Sequence, residues 1–140
     1  MPDDPKSLAR RFYQEVSAGN LDALDELLAD DFVDHEEFPG IEPTKEGVRQ
    51  YFALFRSAFP DLHMELHEVV AEDDLVCARV TMTGTHDGEF VGLAPTGRRV
   101  EVEGIDMVRV RDGRAVEHWG VTDAMTMMQQ LGAFGEQSPG

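Results

Sequence analysis

Hydrophobic and polar positions fall into two regimes along the chain. From residue 5 to 59 the apolar side chains recur at helical spacing. Leu8, Phe12 and Val16 share one face, while Arg11 and Glu15 share the opposite one. Gly19 closes this helix, and Asn20 is a plausible cap for a second, short one carrying Leu21, Leu24, Leu27 and Leu28. Residues 30 to 43 read as irregular, with Pro39-Gly40 and Pro43 as breakers. Thr44 caps a third helix, whose stripe is Val48, Tyr51, Phe52, Phe55 and Phe59, and Pro60 ends it.

From 61 to 123 the period changes to two. Leu62, Met64 and Leu66 alternate with His63, Glu65 and His67. Asp73-Asp74 marks a turn before the β-prone run Leu75 to His86. Residues 87 to 97 form a punctuated loop. Val100 to Arg111 is a further strand, and Asp112-Gly113 is a hairpin signal that returns the chain antiparallel to Thr122. A short helix over 124–131 ends at Gly132, and the tail to Gly140 is expected to fray. Helices first and antiparallel strands afterwards predict an α+β fold, a sheet of four to six curved strands with helices on one face and a space between, as one domain over 1–140.

Three polar residues on apolar strands stand out. The face Val100, Val102, Gly104, Asp106, Val108, Val110 is apolar except for Asp106. A carboxylate there costs several kcal/mol unless it is paired or protonated, so Asp106 is a candidate pocket acid. A buried ion pair, or a bulge at Gly104 turning it outward, is the alternative. Arg79, between Ala78 and Val80, is its candidate partner. Asp123 shares a face with Glu117, Trp119 and Val121 if pairing stays regular. It also stands immediately before a helix, where it would serve as a cap. His86 borders the Asp87-Gly88 turn. His35 lies in an acidic loop, and His118 alternates with Trp119 and so faces away from it.

Composition narrows the chemistry. The 140 residues hold 28 acidic against 12 basic side chains, a net charge of −16. This opposes nucleic acid and anionic membranes as partners. Only Lys6 and Lys45 are lysines. Such a surface suits a high-salt solvent, where screening removes self-repulsion, or reflects an acidic protein that uses arginine in place of lysine. One cysteine, Cys77, excludes an intrachain disulfide, and the acidic start lacks a secretory apolar stretch. A cytoplasmic location is expected. His63 and His67 sit on a strand, where positions four apart are ~13 Å distant, so no metal site is expected. No glycine-rich phosphate loop and no serine elbow occur, so no cofactor is expected. Acid–base chemistry by carboxylate and imidazole in an apolar cavity remains.

The ordered motifs Phe12-Tyr13, Gly19-Asn20, Phe32-Val33-Asp34-His35, Ala78-Arg79-Val80-Thr81, Gly84 to Phe90, Pro95 to Arg98, Asp112 to Trp119, Asp123 and Gln130-Leu131-Gly132 resemble the SnoaL-like polyketide cyclase (ester cyclase) family. The resemblance covers nearly the whole chain. It implies a cone of the ketosteroid isomerase-like type enclosing one apolar pocket. It implies a cofactor-free aldol closure of a polyketide ester by one last-strand aspartate, which by position matches Asp123, with His35 as a pocket residue. The candidate catalytic set is therefore Asp123, His35, Asp106 and Arg79. Trp119, His86, Tyr51, Phe52 and Phe55 are candidates for contact with a small apolar molecule. Two other classes stay open: a non-catalytic binding or dimerisation module, and epoxide opening by an Asp–Arg–Asp set. Apolar residues on both faces of the last strands also predict a homodimer.

Overall fold

A computed structural model describes residues 4–134 of the chain. Residues 135–140 of the tail expected to fray lie outside these residues. Helix α1 (Pro5–Ala18) starts at Asp4, whose side chain accepts from Lys6 N, and ends at Gly19 with φ 81°. Glycine, with no Cβ, adopts that left-handed conformation at no steric cost. The Arg56 guanidinium covers the helix end by donating to the carbonyls of Val16 and Ser17. A 3-10 turn (Leu21–Ala23) leads into the one-turn helix α2 (Leu24–Leu27). Helix α3 (Lys45–Ala58) is capped by Thr44, whose side chain accepts from Gly47 N. Its stripe of Val48, Phe52 and Phe55 is buried.

Strands β1 (Leu28–Asp34), β2 (His63–Glu72), β3 (Leu75–Thr85), β4 (Arg99–Arg111) and β5 (Arg114–Thr122) form one curved, unclosed sheet in the order β1-β5-β4-β3-β2. Helix α4 (Ala124–Gln130) follows β5 and packs against β4. The β4–β5 hairpin turns on Asp112 and Gly113, both at positive φ, as a tight right-twisting hairpin requires. The fold is α+β, as the sequence predicts.

One strand is a correction. Residues 28–34 are not the end of a helix followed by an irregular stretch; they pair in parallel with β5. The segment Leu-Ala-Asp-Asp-Phe-Val-Asp has little β-propensity of its own. Its place at the sheet edge, with Leu28 and Phe32 buried, makes it a strand. Because β1 lies beside β5, residues that follow it, Glu36 and Phe38 among them, line the cavity described below.

Candidate active site

The concave face of the sheet and helices α1 and α3 enclose a cavity of about 1040 Å³. Strand register places its polar residues. Ala78, Asp106 and Gly120 stand side by side across β3, β4 and β5, with Val76, Val108 and His118 in the next row. Asp106 thus lies between two residues too small to cover it, which opens its carboxylate to the cavity. His118 is its diagonal neighbour. Asp34, at the end of β1, is paired with His118 in the parallel register.

These groups form a continuous chain of hydrogen bonds. Tyr13 Oη donates to Asp106 Oδ2 at 2.6 Å. His118 Nε2 bonds Asp106 Oδ1 at 2.8 Å, and His118 Nδ1 bonds Asp34 Oδ1 at 2.8 Å. Asp34 Oδ1 also accepts from the backbone N–H of Glu36 at 2.9 Å, a local turn that fixes the chain leaving β1. Thr122 Oγ1 donates to Glu36 Oε2 at 3.1 Å, and Glu36 Oε1 lies 3.8 Å from His118 Nε2.

The charges follow from these contacts. Burial pulls the His118 ring towards neutrality, but the bonds and charges of Asp106 and Asp34 outweigh it and push its pKa up to about 10. At neutral pH it is an imidazolium with both N–H groups directed at carboxylates. Burial, then the charge of Asp106, raises the Tyr13 phenol well above its ordinary value. Burial also raises Tyr51, with Glu36, Asp106 and Asp34 adding to it. For Glu36, burial raises the pKa, and Asp106 and Asp34 raise it further. His118 and Thr122 oppose them without cancelling the rise.

Glu36, Asp106 and His118 each bring one ligand-type atom within 4.8 Å of the others. An imidazolium has no free lone pair, so the cluster in this state suits proton sharing rather than metal ligation. The rest of the cavity is apolar and aromatic, with Phe12, Phe38, Tyr51, Phe52 and Phe55 on its walls. Phe38, Tyr51 and Phe55 meet one another at centroid distances of 4.5–6.1 Å.

The residues proposed from sequence divide sharply. Asp106 is in the cavity wall, with its side chain 17% exposed, but its partners are Tyr13 and His118 rather than Arg79. Tyr51, Phe52 and Phe55 line the cavity as well. Arg79 is a correction. It is opposite Ile105 rather than Asp106, so the period of two sends it to the outer face. There it pairs with Glu68 and Glu103. Arg79, Asp106 and Asp123 are therefore not brought together.

Asp123 is also corrected. Its carboxylate is exposed and accepts from the backbone N–H and hydroxyl of Thr126, capping α4. Those two bonds hold its pKa below the usual carboxylate value. Trp119 faces outward, stacked on His35 at 4.9 Å and under the Arg109 guanidinium. His35 lies at the cavity rim, where it bonds Glu117 at 3.0 Å. His86 is fully buried against Phe59 and bonded to Thr96, outside the cavity.

Sequence reasoning missed Tyr13, Asp34, Glu36 and His118 as site residues. A signal for His118 existed: it alternates with Trp119, so an outward Trp119 requires an inward His118. Tyr13 occupies a helix stripe where an aromatic residue reads as core. Asp34 and Glu36 fell in a stretch read as irregular.

Known proteins are consistent with this architecture. The family model for SnoaL-like polyketide cyclase matches residues 7–131. The aklanonic acid methyl ester cyclase DnrD of Streptomyces peucetius is 28% identical over 132 residues, covering 89% of this chain and 88% of its own. The nogalonic acid methyl ester cyclase of Streptomyces nogalater is 29% identical over 119 residues, covering 83% and 88%. Among solved structures, wild-type IdmH from Streptomyces antibioticus superposes with a TM-score of 0.81 at 37% identity, covering 92% of this chain and 99% of that one.

Proposed function

The chain belongs to the SnoaL-like polyketide cyclase family, and from that premise we propose that it closes a ring in a polyketide-type ester by a cofactor-free intramolecular aldol reaction. One observation carries the reading. Asp106 presents a carboxylate, fixed by Tyr13 and His118, at the polar end of an aromatic cavity large enough for a multi-ring molecule. A positioned carboxylate with little water around it is a suitable base for a carbon acid beside a carbonyl.

Asp106 removes a proton from the carbon next to a carbonyl and leaves an enolate. The enolate carbon attacks a second carbonyl carbon of the same molecule, and a C–C bond forms. The carbonyl oxygen becomes an alkoxide and takes up a proton. The His118 imidazolium, held between Asp34 and Asp106, offsets the negative charge of the site throughout. The aromatic walls hold the substrate so that the two reacting carbons lie close, which replaces a search in solution by a preset geometry. With the base in place of the expected Asp123, the reaction is assigned to β4 rather than to the end of β5.

The test is ring closure of aklanonic acid methyl ester or nogalonic acid methyl ester, the compounds in the relatives' names, followed by chromatography. Asp106→Asn keeps the shape but cannot accept the proton, and a loss of at least ~10²-fold is expected. Wild-type protein inert towards both esters, or an Asp106→Asn variant as fast as wild type, refutes the reading.

A homodimer belongs to the same proposal. Val121, Ile105, Met107 and Val70 are 75%, 52%, 36% and 64% exposed on the outer face. Ile105 pairs with Val121, Met107 with both Trp119 and Cys77, and Cys77 with Val70, so the patch is continuous across four strands. An apolar sheet face of this kind is suited to cover by a second copy. No helix among the described residues is long and apolar enough to cross a membrane. A cytoplasmic location fits the proposed substrate chemistry.

A further inference from the structure

The proposed cyclisation leaves the source of the second proton unassigned, and the cavity holds few groups able to give one. Both N–H groups of His118 are committed to carboxylates, and the Tyr13 hydroxyl is committed to Asp106. Tyr51 is a buried phenol whose raised pKa makes it a poor acid. Glu36 differs from all of them. Its Oε2 accepts from Thr122, while its Oε1 accepts no hydrogen bond from the described residues and lies 3.8 Å from His118 Nε2. Asp34 and Asp106, by contrast, each receive two hydrogen bonds.

Gly120 explains how Glu36 reaches Asp106. A Cβ at this position would lie 2.3 Å from Glu36 Oε1, 2.8 Å from Asp106 Oδ1 and 2.9 Å from His118 Cε1. The two carboxyl groups therefore converge over the one strand position that carries no side chain. Two carboxylates this close, and partly shielded from water, do not ionise together readily; the one with fewer donors keeps the proton. The imidazolium and Tyr13 attend Asp106, so the proton falls to Glu36.

We propose that Glu36 is the second catalytic carboxyl of this site: it protonates the alkoxide formed on ring closure and recovers that proton from Asp106 across the gap over Gly120. This rests on the cyclisation reading above. Asp106 takes the proton from carbon and becomes a carboxylic acid. The enolate electron pair forms the new C–C bond, and the π electrons of the attacked carbonyl move to its oxygen. Glu36 gives that oxygen its proton and becomes a carboxylate. Asp106 then returns one proton to Glu36, and both groups regain their starting states with no external acid or base consumed.

The charged and titratable groups around Glu36 come from every neighbouring element. Asp34 on β1 and Asp106 on β4 favour its neutral form, and His118 and the Thr122 hydroxyl on β5 favour its charged form. Tyr51 on α3 and Tyr13 on α1 stay neutral beside it. Burial is the largest influence and favours the neutral acid.

Two measurements test the assignment on the full chain. In the first, protein labelled with ¹³C at its glutamate carboxyls is titrated by NMR. One signal is expected to titrate above the other glutamates and to be missing in Glu36→Gln. Glu36 titrating with the surface glutamates overturns the proposal. In the second, aklanonic acid methyl ester is incubated in D₂O, and deuterium uptake next to the carbonyl is followed alongside ring closure. Glu36→Gln should lose closure by at least ~10²-fold while uptake falls far less, and Glu36→Asp should recover part of the closure. Asp106→Asn should lose both. Equal loss of uptake and closure in a folded Glu36→Gln variant overturns the assignment. A wild-type protein that does neither overturns the cyclisation reading instead, and the titration still decides the state of Glu36.

Discussion

Raising the pH should destabilise this protein through one residue, His118. Its ring is held between Asp34 and Asp106 with side chains 18%, 19% and 17% exposed, and its pKa rises from 6.5 to about 10. At ~1.36 kcal/mol per pH unit, that rise corresponds to at most about 5 kcal/mol of stability. The sign follows from proton counting. The folded state keeps the proton above pH 6.5 and the unfolded state loses it, so stability falls as pH rises. The contribution is complete below pH 6.5 and is gone once the pH passes about 10. Urea unfolding of wild type and His118→Gln, measured at half-unit steps across that window, isolates the effect as a difference between the two proteins. The wild-type advantage should shrink towards alkaline pH. A second readout is the imidazole NMR signal of His118, which should remain that of an imidazolium at pH 8. A constant difference between the two proteins across the window, or a ring that titrates near its ordinary value, refutes the argument.

Gly120→Ala places a methyl group within 2.3 Å of Glu36 Oε1, so ring closure should fall by at least ~10²-fold while circular dichroism stays that of the wild type; a fully active variant would show that the two carboxyl groups need not converge. Asp123→Ala should lower the melting temperature slightly by removing the cap of α4, whereas Asp123→Asn should match wild type, and neither should alter turnover. A rate loss in Asp123→Asn, which keeps the cap, would return the acid–base role to that residue. Val121→Asp on the outer face should convert a dimer to a monomer in light scattering. A wild-type protein that is already monomeric at working concentrations rejects the sheet-face dimer.

The order of elements was legible in the residues because it depends on local period. The 3.6-residue stripe Val48, Tyr51, Phe52, Phe55 and the two-residue alternation of Val100 to Val110 leave little choice of helix or strand. Caps were equally local: Gly19, lacking a Cβ, takes the positive φ that stops α1, and the Thr44 side chain caps the start of α3. Asp106 was legible for the same reason, as the one charge on an apolar face. The edge strand β1 was not, because its acidic residues carry no β signal and only the neighbouring β5 makes it a strand. The partners of Asp106 were not legible either. Tyr13 is 93 positions away in sequence and His118 is 12, and their meeting depends on how α1 crosses the concave face and on the β4–β5 register. Arg79 and Asp123 show the limit from the other side. Both had suitable chemistry, but a strand allots successive residues to opposite faces, and which face becomes the cavity is fixed only when the helices settle on one of them.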